Sequence, residues 1–172
     1  METIVNKVAE SGIVTLDLAT FIPTDESIET FDLKPFLFRE MILREKDYRE
    51  ALKQQDWTIF EGKKVHIYCS ADAIIPMWAN MLAASYLQPV ATSVLYGTKE
   101  DLKNYELLSE IERLDTAEYA DKRVVIKGCG DVSIPAQGYV AITDKLQPVV
   151  KSLMYGEPCS TVPVYKKPLP RS

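Results

Sequence analysis

The spacing of apolar residues changes character several times along the chain. Residues 12–18, GIVTLDL, alternate β-branched and polar side chains and predict a strand, which FIPTDES ends with a proline and turn formers. From Asp32 the spacing becomes helical. Leu37, Met41, Tyr48 and Leu52 fall on one face, with Glu40/Arg44 and Glu45/Arg49 as i,i+4 pairs on the other, so a helix is predicted over about 35–55. Beyond Trp57 the pattern alternates. KVHIYC, ATSVLYG and KRVVIKGC read as strands, and PMWANMLAASYL, KEDLKNYELLSEIERL and AQGYVAITDKL as helices. Strands separated by helices of this length pair in parallel through right-handed crossovers, so the expected class is α/β, three-layered about a mostly parallel sheet.

A self-match runs through the second half of the chain. Eleven residues lead from Pro76 to Leu87 and again from Pro135 to Leu146; each leucine opens the tetrapeptide Leu-Gln-Pro-Val, and Tyr-Gly follows at 96–97 and 155–156. With one single-residue gap between cysteine and proline, Tyr68–Gly97 aligns with Gly128–Gly156, which predicts an internally duplicated strand-turn-helix unit. One conflict attends the match: ATSVLYG reads as a strand, whereas VVKSLMYG over 149–156 could equally prolong the preceding helix past Pro148. The expected organisation is a single α/β domain over 1–165. It has a strand and helix in 1–57, a duplicated core in 58–157, and a flexible basic tail over 166–172.

Composition narrows the function classes. A chain of 172 residues buries roughly 70% of the surface its unfolded form exposes, so it needs neither disulfide nor metal to fold. Apolar runs fall far short of the ~20 residues of a bilayer-spanning helix, and residues 1–12 lack the apolar core of a signal peptide, so a cytoplasmic protein with no membrane association is expected. A net charge of -5 argues against nucleic acid, whose binding draws on clustered Lys and Arg. A homodimer fits only as a base rate. Phosphate-loop, dinucleotide, nucleophile-elbow and zincin motifs are absent from the sequence.

The candidate chemistry lies in the three cysteines. Cys69 and Cys129 both follow predicted strands, where ligands gather in open parallel sheets and helix dipoles favour thiolates. Asp72 and Asp131 stand just beyond, as turn caps or as oxygen donors to a bound group. Cys159 lies in GEPCSTVP, whose prolines and glycine predict a rigid irregular loop. If that loop folds over the carboxyl edge of the sheet, three thiols converge as ligands for iron, zinc or an iron–sulfur cluster and leave one coordination position exchangeable. Inert buried cysteines are the competing reading. His66, mid-strand and three residues before Cys69, points to the opposite face and reads as structural.

FLFREMILREKDYREAL, QDW, CSADAIIPMWANML, VVIKGC, LQPVVKSLMYG and CSTVPVYKK, which together span nearly the full length, resemble an uncharacterised bacterial family, domain of unknown function 2480. The three cysteines fall at that family's cysteine motifs. The resemblance implies no activity, but members tend to be encoded beside iron–sulfur cluster assembly genes, which implies assembly proteins as partners. The leading expectation is therefore a metal- or cluster-binding accessory protein of iron–sulfur metabolism, with Cys69, Cys129 and Cys159 as ligands and Asp72 or Asp131 as helpers. A scaffold protein with structural cysteines is the alternative. An enzyme using Cys129 as nucleophile is the third, and it lacks a histidine base; Lys127 is the nearest basic group.

Overall fold

The computed structural model describes residues 12–128 and 130–169. From the amino end the strands are β1 (Ile13–Leu16), β2 (Ile28–Asp32), β3 (Leu37–Phe38), β4 (Ile42–Leu43), β5 (Lys64–Tyr68), β6 (Ser93–Tyr96), β7 (Arg123–Lys127), β8 (Ser152–Glu157) and β9 (Ser160–Lys166). The helices are α1 (Glu45–Gln54), α2 (Met77–Leu87), α3 (Lys99–Arg113) and α4 (Ala136–Leu146). The protein is α/β, and it divides into two compact units. A middle unit is Pro23–Tyr105, and a terminal unit takes both chain ends, up to Ile22 and from Glu106. The division falls inside α3.

In the middle unit β2, β5 and β6 form an all-parallel sheet with β5 at its centre. Val65, His66 and Ile67 are buried in succession, as expected of a central strand covered on both faces. Phe31, Leu33, Tyr48, Leu52, Phe60, Val65, Ile67, Ala79, Ala83 and Leu87 make one apolar core. In the terminal unit β7 is central between β1 and β8, all parallel, and β9 adds antiparallel to the outer side of β8. Its core gathers Leu16, Leu18, Leu107, Ile111, Val124, Ile126, Ile142, Leu146 and Leu153. The parallel pairing is thus shared between two hydrogen-bonded sheets.

Two sequence expectations change, and one open alternative closes. The helix predicted over about 35–55 begins only at Glu45; before it, Leu37–Phe38 pairs with Ile42–Leu43 as a small hairpin. Arg39 and Glu40 both take left-handed φ angles, 52° and 56°, at the turn, which an α-helix cannot contain. GEPCSTVP is not an irregular loop, because Pro158 and Cys159 form the tip of the β8–β9 hairpin with Glu157 opposite Ser160. Residues 152–157 are strand, not a continued helix. Pro163 is tolerated within β9 because that strand lies at the sheet edge and the register shifts at Leu153/Met154, opposite it.

The two units share a frame at a constant spacing of 59 residues. Lys64 opens β5 and Arg123 opens β7; Met77 and Ala136 open the helices; Leu87 and Leu146 close them; Ser93 and Ser152 open the next strands. Turn hydrogen bonds repeat as well, from Gly62 N to Val90 O at 2.9 Å and from Asp121 N to Val149 O at 2.8 Å, with positive φ at both donors. The linking loops are therefore equally long, and the gap used to match the cysteines disappears. Cys69 corresponds to Gly128, and Ser70 to Cys129.

Candidate functional site

Because β1, β7 and β8 run parallel, their carboxyl ends open on one rim of the terminal sheet, the edge where ligands collect in such folds. A cleft of about 510 Å³ lies there, lined by Asp17, Lys127, Gly128, Gly130, Asp131, Ser133, Tyr139 and Tyr155 among others. Asp17 directly follows β1 and caps the short turn 18–21: its Oδ1 accepts the Ala19 N–H at 2.9 Å, while Oδ2 accepts Lys127 Nζ at 2.9 Å. The Lys127 bond foremost, then the Ala19 N–H, hold the Asp17 carboxyl below its usual range against the opposing effect of burial. The cleft wall is thereby charged on both signs at neutral pH.

Tyr155 forms the divide between this cleft and a second depression. Its hydroxyl donates to the Gly128 carbonyl at 3.0 Å, and its ring meets Tyr139 edge-on with centroids 5.5 Å apart. The ring lies so close over the backbone that a Cβ at position 128 would stand 2.6 Å from Tyr155 Cζ, so only glycine leaves the ring in place. The second depression, about 320 Å³, is lined by Gly128, Tyr155, Gly156, Glu157, Cys159 and Ser160. Gly156 has φ 125°, and a Cβ there would lie 2.5 Å from the Ser160 carbonyl; glycine lets the hairpin turn tightly enough to bring Cys159 to this place.

The predicted site residues are divided between the units. Cys159, exposed, and Asp131 belong to the terminal rim. Cys129 lies outside the described residues; its neighbours Gly128 and Gly130 both line the cleft. Cys69 stands in the middle unit, half-buried against that unit's apolar core, and Asp72 lines a separate groove there with Met41, Ile42 and Ile74. Among the described residues no three His, Cys, Asp or Glu side chains come together as a metal site. No described helix is long and apolar enough to cross a membrane.

His66 is buried and bonded at both nitrogens, Nδ1 to the Gly97 carbonyl at 3.1 Å and Nε2 to Thr30 Oγ1 at 2.8 Å. A carbonyl only accepts, so Nδ1 carries the proton, and in the neutral ring Nε2 accepts from Thr30. The structural role expected of this histidine agrees with that arrangement. At the end of β2, Asp32 does for the middle unit what Asp17 does for the terminal one. Its Oδ1 accepts the Lys34 N–H two residues on, and it also fastens the loop after β5 through Ser70 N–H at 3.0 Å and Ser70 Oγ at 2.5 Å. Asp17 and Tyr155 escaped sequence reasoning. For Tyr155 the sequence signal is the 59-residue spacing, which sets it against Tyr96 at the end of β6; Asp17, at the end of β1, lies outside that spacing and carries no such signal.

The fold and the rim define a two-unit α/β protein with a polar cleft at the carboxyl ends of parallel strands and Cys159 in a depression beside it. The chain belongs to the family described as Protein of unknown function (DUF2480), which matches residues 2–167. No curated protein and no solved structure matches it.

Proposed function

We propose that the carboxyl rim of the terminal unit binds iron, zinc or an iron–sulfur cluster through Cys129 and Cys159, and that the protein is an accessory factor handling this cargo in iron–sulfur metabolism. The observation that supports the reading is that Cys159 shares one depression with Gly128, the chain neighbour of Cys129, although thirty positions separate the two cysteines. Asp131, two residues after Cys129, lines the adjoining cleft as a candidate oxygen donor. A permanent structural zinc site closes with four protein ligands. Two thiolates leave positions for ligands of a donor or acceptor protein, which suits transfer rather than storage. Cys69, packed on the core of the other unit, takes a structural role in this reading. The shared frame supports descent of the two units from one doubled segment, with the thiol at position 129 replacing the hydroxyl that Ser70 uses to hold its loop.

Anaerobic reconstitution with zinc, or with iron and sulfide, followed by metal analysis and visible absorption, tests the proposal. Wild type is expected to bind, C129S and C159S to lose binding, and C69S to keep it. Wild-type protein that takes up neither metal nor cluster overturns the reading, as does uptake indifferent to both C129S and C159S.

A further inference from the structure

The middle unit displays an apolar surface that its own fold leaves uncovered. Ile74 is 91% exposed, Met77 77% and Met81 73%; Met41 and Ile42 on the β3–β4 hairpin are also in water. They are contiguous: Met41, Ile42, Ile74 and Pro76 line one groove of about 470 Å³, and Met77 and Met81 continue from its end along α2, one turn apart. At the corresponding positions of α4 stand Ala136 and Val140, followed in the same row by the charged Asp144, where α2 has Ser85. No Lys, Arg, Asp, Glu or His occurs in α2. A solvent-facing helix normally carries charge on its outer side, so this stripe departs from the pattern of a free surface.

We propose that a second copy of this chain covers the stripe, in a two-fold dimer that packs α2 against α2. Two observations favour a copy over an unlike partner, and α2 brings no charge of its own to add to the repulsion between two chains of net charge -5. The surface holds both a groove and flexible knobs beside it, so under a two-fold axis the methionines of each copy enter the groove of the other; a thioether chain adapts to such a gap. Both signs of charge accompany this surface, Arg39 in the hairpin turn and Arg44 just after β4, both over the Phe38 ring, and Asp72 in the groove lining, whereas a partner of one sign would call for a surface of the opposite sign. Charge-depleted centres with polar rims are typical of homodimer interfaces, of which each partner contributes about 800 Å².

Sedimentation equilibrium of the full chain over a wide dilution series tests this. Wild type is expected to show a reversible dimer, and M77K and M81K the monomer mass at every concentration with unchanged circular dichroism. V140K, at the position of α4 that corresponds to Met81, is expected to leave the dimer intact. A wild-type monomer throughout overturns the proposal, whether or not the protein collects on lipid vesicles, and so does a dimer that persists in both methionine variants.

Discussion

Replacing Gly128 with alanine isolates the contact that separates the two depressions. The new methyl would lie 2.6 Å from Tyr155 Cζ and 2.9 Å from its oxygen, so one group must move. The tyrosine yields, because its ring is 41% exposed and has room to swing outward, whereas position 128 is fixed by the strand before it. Moving it forfeits the phenol hydrogen bond to the Gly128 carbonyl, worth about 0.5–1.5 kcal/mol. It also forfeits the edge-on contact with Tyr139, worth about 0.5–1.5 kcal/mol beyond the area buried. Partial exposure places both near the lower end, so G128A should cost the terminal unit about 1–2 kcal/mol. Both tryptophans, Trp57 and Trp78, belong to the middle unit. Fluorescence in urea therefore follows that unit, while exchange of the β7 amides Val124 to Ile126 follows the terminal one. G128A should lower the second and leave the first. In a Y155A background the same substitution should cost almost nothing, since the group it displaces is gone. An equal cost in both backgrounds would refute the assignment of Tyr155 as the obstacle.

Two further outcomes follow from single contacts. Burial opposes ionisation of Asp32, but the Ser70 hydroxyl and the Lys34 and Ser70 N–H groups outweigh it and hold the carboxyl below its ordinary value. Its stabilisation is therefore present above the unfolded value of about 3.9 and is lost as pH falls through the lower folded value. D32N should cost the middle unit about 1–2 kcal/mol at neutral pH and flatten the acid limb of its urea midpoint read by tryptophan fluorescence; an unaltered limb would contradict this. In α4, a Cβ on the buried Gly138 would lie 2.7 Å from Leu107 Cδ2, which has no room to retreat. G138A should lose about 1–3 kcal/mol, yet in an L107A background it should become neutral or stabilising, because only the helix propensity of alanine remains. Amide exchange checks the reversal of sign.

The second half of the fold was legible because period and punctuation agree there. The predicted helices at 99–114 and 136–146 match α3 and α4 to within a residue, since Pro135 and Pro148 bound the second and charged residues mark the wet face of the first. Around Leu37 and Met41 the apolar spacing imitated a helix, and only the backbone reveals the left-handed pair Arg39-Glu40. Strand β2, IETFD, went unread: its buried residues are Ile28 and Phe31, three apart, so the alternation that marks a strand is missing. Pro163 hid β9 by its usual meaning, since edge position and register shift are properties of the sheet and not of the residue. At the candidate site, Cys129, Cys159 and Asp131 could be named from sequence. The pairing of Asp17 with Lys127 could not, because 110 residues separate them and only parallel pairing of β1 with β7 makes them neighbours.

A chain whose two units repeat the same element spacing at 59 residues supplies its own reference experiment. Any substitution whose effect is purely mechanical, such as loosening a helix entry at Pro76, should have a twin with the same effect 59 residues downstream, at Pro135. Where the twins diverge, the difference measures what has been added to the scaffold. Serine at 70 against cysteine at 129, and methionine at 81 against valine at 140, are the pairs in which specialisation can be weighed within a single molecule.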